Sequence, residues 1–270
     1  MVAFLRPPDH ASYVQAMASA RKAMELDPSL PEAQIREADL KFYWNWDWPQ
    51  CEGPFRHAAL EANSSPDVQG HYGLCLEVLG RYKEALPYME NARRSDPLST
   101  LVNKALGRLL ARNGQTEEAL EYLNKAKDLD PNDASVYDIL AWIDEQQNQS
   151  SKAIEARIRA GRLRGDLPEN CEEELTRALR IGGITAFEQE HKKLLKLRID
   201  ALKHQANTSP VAVAALYVKT GDFDEAFRWL DKAYEQQLPS LVWLKSGLAW
   251  QPLRTDSRYQ VLLRRMRMPE

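Results

Sequence analysis

Apolar residues recur along this chain at three- and four-residue intervals, the spacing that lines one face of a helix. The pattern runs through Ala16, Ala20 and Ala23, through Ile35, Ala38 and Phe42, and through Ala85, Met89 and Ala92. It returns at Leu106 and Leu110, and again at Leu194, Leu195, Ile199 and Leu202. Helices are therefore predicted over most of the length. They are punctuated at Gly80, Gly114, Gly182-Gly183 and Gly221, and at Asp96-Pro97 and Asp130-Pro131.

The punctuation is periodic. Pro97 and Pro131 stand 34 residues apart, and Gly80, Tyr82, Ala85, Met89 and Ala92 shift by the same 34 onto Gly114, Thr116, Ala119, Leu123 and Ala126. Gly221, Phe223, Ala226, Leu230 and Ala233 keep the internal spacing. Each position has a physical task. The glycines suit a left-handed helix end before the chain reverses. The first alanine lets two helices approach closely, and the bulky residue and second alanine that follow share its face. Asp-Pro stops one helix and opens the next.

These residues resemble the tetratricopeptide repeat, a helix-turn-helix unit of 34 residues. The resemblance implies an all-α, right-handed α-solenoid with an irregular helix pair and a C-terminal capping helix. Residues 1–165 are expected to form an N-terminal array, opening on a partial unit whose first helix is missing or reduced to residues 1–8. Residues 166–206 are expected to form an irregular helix pair broken at Gly182-Gly183. Residues 207–270 would add a last unit and capping helices to one continuous solenoid. Residues 210–268 are also similar to the end of tetratricopeptide arrays that follow a kinase, cyclase or winged-helix domain in bacterial signalling proteins. The usual Asp-Pro-Leu-Arg and Asp-Pro-Arg-Phe of those arrays stand here as Gln251-Pro252-Leu253-Arg254 and Asp256-Ser257-Arg258-Tyr259. Since the chain opens mid-unit, it is expected to be a portion of such a regulator. In the closing helix, Leu262, Leu263 and Met266 are expected to cover the last repeat's apolar side.

The stretch FYWNWDWPQC holds Trp44, Trp46 and Trp48 within five positions. Trp46 and Trp48 occupy the register of Gly80 and Tyr82, at the bend between two helices. They are expected to be apolar plugs, with Asp47 and Pro49 starting the second helix. Trp44, earlier in the first helix, is expected to face the groove.

In arrays of this family the first helices line a concave wall. Helical phase places Arg36, Leu40 and Tyr43 there, with Gly70, Leu74 and Glu77 beyond them. Lys104, Arg108 and Arg112 follow, and then Asp138, Trp142 and Glu145. A basic patch beside aromatic groups suits a protein or peptide partner that is acidic and carries an apolar anchor. This expectation requires the wall to be open. The Lys, Asn, Asn, Lys and Arg pattern that holds chaperone tails in relatives is absent: the corresponding positions offer Arg36 and Leu40, His71, and Leu101 and Ala105.

Composition narrows the remaining choices. Hydrophobic residues make up 44% and charged residues 28%, with a net charge of −3, which gives no pull toward nucleic acid or an anionic membrane. No apolar run approaches the ~20 residues that span a bilayer. Cys51, Cys75 and Cys171 are scattered and unpaired in spacing, so free thiols and a cytoplasmic setting are expected. His71 and Cys75 lie one helical turn apart, with Cys51 and His57 on the preceding helix, but the paired short spacings of a zinc site are missing. No phosphate loop, dinucleotide fingerprint or nucleophile elbow occurs. No catalytic residue, metal or cofactor is assigned, and the chain is expected not to be an enzyme. The expected function is a binding scaffold acting as the interaction or sensory module of a larger bacterial regulator. A second reading makes the channel an enzyme or small-molecule site using His71, Tyr43, Asp138 and Glu145. A third is self-association through the repeat ends.

Overall fold

A computed structural model describes residues 10–27, 30–60, 65–205 and 208–269, and no strand occurs among them. The first helices are α1 (His10–Leu26), α2 (Pro31–Leu40), α3 (Trp48–Leu60), α4 (Pro66–Val78) and α5 (Tyr82–Ser95). Then follow α6 (Thr100–Arg112), α7 (Thr116–Leu129), α8 (Ala134–Gln146), α9 (Ser150–Arg164) and α10 (Cys171–Lys203). The last are α11 (Pro210–Thr220), α12 (Phe223–Glu235) and α13 (Ser257–Arg265), with 3-10 turns at Pro239–Leu244 and Leu248–Leu253. Neighbours in sequence pack in pairs, α4 on α5 and α8 on α9 most extensively. Expectations for residues 1–8, and for the side chains of Pro49 and Cys51, lie outside the described residues.

Local chemistry explains the breaks. Ser65, Ser99 and Asp133 accept backbone N–H bonds from Val68, Val102 and Ser135, satisfying donors at the starts of α4, α6 and α8. Gly80, Gly114 and Gly221 take φ of 82°, 81° and 83°, the left-handed values the helix ends require. The helix-facing residues Ala85, Ala119 and Ala226, with Met89, Leu123 and Leu230 a turn on, are all buried. In α10, Gly183 (φ 66°, ψ −160°) breaks the helix where the glycine pair stands, and Ile181 and Ile184 beside it are exposed.

The chain packs as two compact units. Unit 1 comprises Met1–Tyr122 with Tyr234–Gly247 and Ser257–Glu270, and unit 2 comprises Leu123–Ala233 with Leu248–Asp256.

In unit 1 the tryptophan turn is a core element. Trp46 and Trp48 are both buried. Phe42 sits edge-on to Trp48 at 5.1 Å and to Phe55 at 6.1 Å. Residues Lys41–Asn45 form a π-helical turn, after which Trp46 adopts φ 51° and ψ 38°. A tryptophan thus takes the left-handed role that glycine fills 34 residues later at Gly80, at a cost of about 1–2 kcal/mol. Stacking of Trp46 on Tyr234 at 5.4 Å and its burial offset that strain.

The closing helix has a partner beyond the one expected for it. Leu262 and Met266 are buried, and Tyr234 at the end of α12 does bond the Arg265 carbonyl. Yet α13 belongs to the unit formed by the first repeats, and the Met266 carbonyl accepts 2.9 Å from the Trp48 indole N–H. Amphipathicity specifies that a helix must be covered, but not which surface covers it.

Candidate functional site

In unit 1 the expected first-helix residues divide into an outer and an enclosed group. Arg36 is exposed and bonds Asp39 at 3.3 Å and Asp67 at 3.1 Å. His71 is buried between the same carboxylates, its Nδ1 at 3.0 Å from Asp39 and its Nε2 at 3.7 Å from Asp67. Burial opposes its charge, but the Asp39 hydrogen bond and the charges of Asp39 and Asp67 raise its pKa overall. Leu40, Tyr43 and Trp44 are half-buried, the Tyr43 ring standing edge-on to Phe42 at 5.1 Å. Leu74 and Glu77 are enclosed, and Glu77 has no exposed side-chain surface.

Glu77 is matched by Arg108, which grips it through Nε and through Nη2 at 2.7 Å. The Arg108 guanidinium lies over the Trp243 ring, 5.5 Å from its centroid. Arg112 donates to the Ser246 carbonyl and lies over the Tyr82 ring at 4.9 Å. Lys104 is half-buried. The wall of α4 and α6 is thus covered by the chain's own residues Leu241 to Ser246, of which Leu241, Val242 and Leu244 are fully buried. Tyr259 secures that segment by donating to the Leu244 carbonyl at 2.9 Å. The requirement of an open wall fails here. The basis for an acidic partner also changes, since Arg108 and Arg112 already have acceptors within the chain. Sequence reasoning missed Trp243 and Ser246, although the apolar run LVWL was a visible signal of a segment needing a surface.

In unit 2, Asp138, Trp142 and Glu145 fall on one face of α8. Asp138 receives two bonds from Arg164, one of them at 3.1 Å, and Arg164 also reaches Asp166 at 2.8 Å. Lys219 of α11 meets Asp166 at 3.2 Å. At the other end of the face Arg157 bonds Glu188 at 2.8 Å and lies over Phe187. Glu145 is 46% exposed and stands 3.8 Å from Arg157. Trp142 is half-buried and makes no hydrogen bond, ring stack or cation contact among the described residues. His191 of α10 is buried and stacked flat on Phe187 at 5.6 Å. Burial, aided by the charge of Arg157, lowers its pKa to about 4, so its imidazole is neutral at pH 7.

The chemical candidates are otherwise occupied. Cys75 and Cys171 are buried and outside any disulfide. No group of three or more His, Cys, Asp or Glu side chains placed to hold a metal ion occurs among the described residues. A concavity of about 310 Å³ between α2 and α3 includes Glu37, Lys41 and His57, none of them among the expected groove residues. No helix among the described residues is long and apolar enough to cross a membrane.

The tetratricopeptide repeat family model matches residues 79–143. Among solved structures, a MamA RS-1 double mutant aligns with TM-score 0.50 at 19% identity, over 57% of this chain and 86% of that one. MamA AMB-1 aligns with TM-score 0.50 at 19% identity, over 57% and 91%. YrrB, described as a TPR protein with an unusual peptide-binding site, gives 0.49 at 24% identity over 58% and 80%. No curated protein matches the sequence. The fold is an all-α solenoid of tetratricopeptide units.

Proposed function

We propose, for a chain that carries tetratricopeptide repeats, that it works as a protein- and peptide-binding scaffold whose first-helix faces hold partner segments. Its wider role in this reading is the interaction or sensory module of a larger bacterial regulator in the cytoplasm. The observation that supports it most is the occupancy of unit 1. There a segment that opens as a 3-10 turn already lies on α4 and α6, with an aromatic anchor under Arg108 and a carbonyl acceptor on Arg112. This is the kind of contact such a face would offer a partner. An acidic segment with an apolar anchor would act by exchange with Leu241–Ser246, because a carboxylate accepts more strongly from Arg112 than a carbonyl does. The remaining groove residues, Arg36, Leu40, Tyr43, Trp44 and Lys104 in unit 1 and Asp138, Trp142 and Glu145 in unit 2, are proposed as contact positions.

Site-specific photo-cross-linking in the source cell tests the scaffold role. A photo-reactive residue at Lys104 or Trp142 is expected to form protein adducts, and one at the exposed Glu121 of α7 far fewer. Equal labelling at all three positions, or no protein adduct at any, would refute it.

A further inference from the structure

We propose that the α8 face of unit 2 is a docking surface for a basic side chain of the partner, a lysine or arginine laid against the Trp142 indole with Glu145 as its counter-charge. This rests on the scaffold reading and names the partner's chemistry at one face.

The charge balance of the face carries the inference. Arg164 is committed to Asp138 and Asp166, Lys219 to Asp166, and Arg157 to Glu188 at 2.8 Å. Of the carboxylates Asp138, Asp166, Glu188 and Glu145, the one served least is Glu145, 46% exposed and 3.8 Å from a guanidinium that already has a closer partner. One turn away on the same face, Trp142 leaves part of its indole to solvent and has no ring or cation partner among the described residues. An open indole beside an under-neutralised carboxylate lacks a cation, which the ring quadrupole and the carboxylate attract together. A partner carboxylate would meet repulsion from Glu145 and Glu188, and an aliphatic group would gain only contact area.

Unit 1 supplies a closed set of the same three kinds of side chain. There a glutamate, Glu77, holds an arginine, Arg108, whose guanidinium lies over a tryptophan, Trp243. Unit 2 presents a glutamate and a tryptophan on one helix, at Glu145 and Trp142, and the cation nearest the glutamate, Arg157, stands 3.8 Å away and is held closer by Glu188. The proposed occupant is a cation that meets both side chains.

The test uses the full chain with ¹⁵N-labelled tryptophan indoles, the Trp142 resonance being assigned through Trp142→Phe. Three capped heptapeptides, identical except for a central lysine, leucine or glutamate, are titrated separately. The lysine peptide is expected to move the Trp142 resonance with a Kd about tenfold below that of the leucine peptide. The glutamate peptide is expected to leave it in place. Glu145→Gln should bring lysine and leucine within about twofold of each other, and added salt should weaken the lysine peptide alone. The other indole resonances report that the variant is folded. Leucine or glutamate binding as well as lysine, an unaltered lysine preference in Glu145→Gln, or no shift with any peptide would overturn the proposal. Adducts at Trp142 in the photo-cross-linking experiment, together with such a result, would leave the scaffold reading standing while this one falls. Absence of adducts at both positions would remove both.

Discussion

The two units use similar side chains for opposite ends. In unit 1 a glutamate, an arginine and a tryptophan from distant parts of the chain close on one another, and the wall they line is covered. In unit 2 a glutamate and a tryptophan stand on one helix, the glutamate's nearest cation is drawn to another partner, and the face stays partly exposed. Burial makes the difference. Glu77 has no solvent left, so its charge must be matched inside the fold, whereas Glu145 keeps water as an alternative partner. The same charge is structural in the first setting and available in the second.

The largest test of that contrast is Glu77→Ala. It leaves Arg108, 16% exposed, without its buried carboxylate, and a loss of about 3–5 kcal/mol is expected in urea unfolding. Replacing both residues by leucine should recover much of that loss, because no uncompensated charge then remains. If Glu77→Ala costs no more than an exposed pair would, the wall of unit 1 is not held by this ion pair.

A second test uses the two buried histidines, whose shifts are opposite. His191 has its folded pKa lowered to about 4 from an ordinary 6.5. Its contribution is complete above pH 6.5 and is lost as pH falls from 6.5 toward 4, up to about 3 kcal/mol. His71 has its folded pKa raised, so its contribution is complete below 6.5 and is lost as pH rises through the raised value. Hydrogen exchange on amides of α10 should therefore quicken as pH falls below 6.5, and on amides of α4 as pH rises above 6.5. His191→Leu should abolish the first dependence, and His71→Gln the second. Exchange that tracks pH identically in the two helices, after correction for intrinsic chemistry, would break the contrast.

How far all this could be read from sequence follows the range of each interaction. The 34-residue register placed the left-handed turn glycines, the close-packed alanines and Trp46 at a helix bend, because those are local requirements repeated in each copy. The π-helical turn at Lys41–Asn45 was not legible, since the helix ends at Trp46 directly after it and leaves no later apolar positions to show the shift of register. Glu77 was assigned to an open wall by phase, and phase is blind to a neighbour that buries it. Its partner lies 31 residues on, and so do the partners of Arg36 and Arg157 at Asp67 and Glu188. Opposite charges at that interval were the available signal. Arg112 and Ser246, 134 residues apart, had no such periodicity to betray them.

The turns give a third and smaller test. Gly114→Ala places a side chain at φ 81° with open space around the new Cβ, so only backbone strain is added, about 1 kcal/mol. Trp46→Gly releases comparable strain but forfeits the Tyr234 stack and a buried indole. Net destabilisation by about 1–2 kcal/mol is expected there. A stabilised Trp46→Gly would mean that the tryptophan is kept for a reason other than packing.

The smallest effect belongs to the open face. Asp138→Asn removes one charge from a pair in which Asp138 is 38% exposed and Arg164 retains Asp166 at 2.8 Å. Screening by solvent and the surviving partner should hold the loss of stability to within about 0.5 kcal/mol, close to the limit of a denaturant titration. The value lies in its comparison with Glu77→Ala, since both variants delete a carboxylate from a first helix that pairs with an arginine. A ratio near one between their effects would mean that burial does not separate the two units. A large ratio would tie the closed wall of unit 1 and the accessible wall of unit 2 to the same cause, the presence or absence of water at a carboxylate.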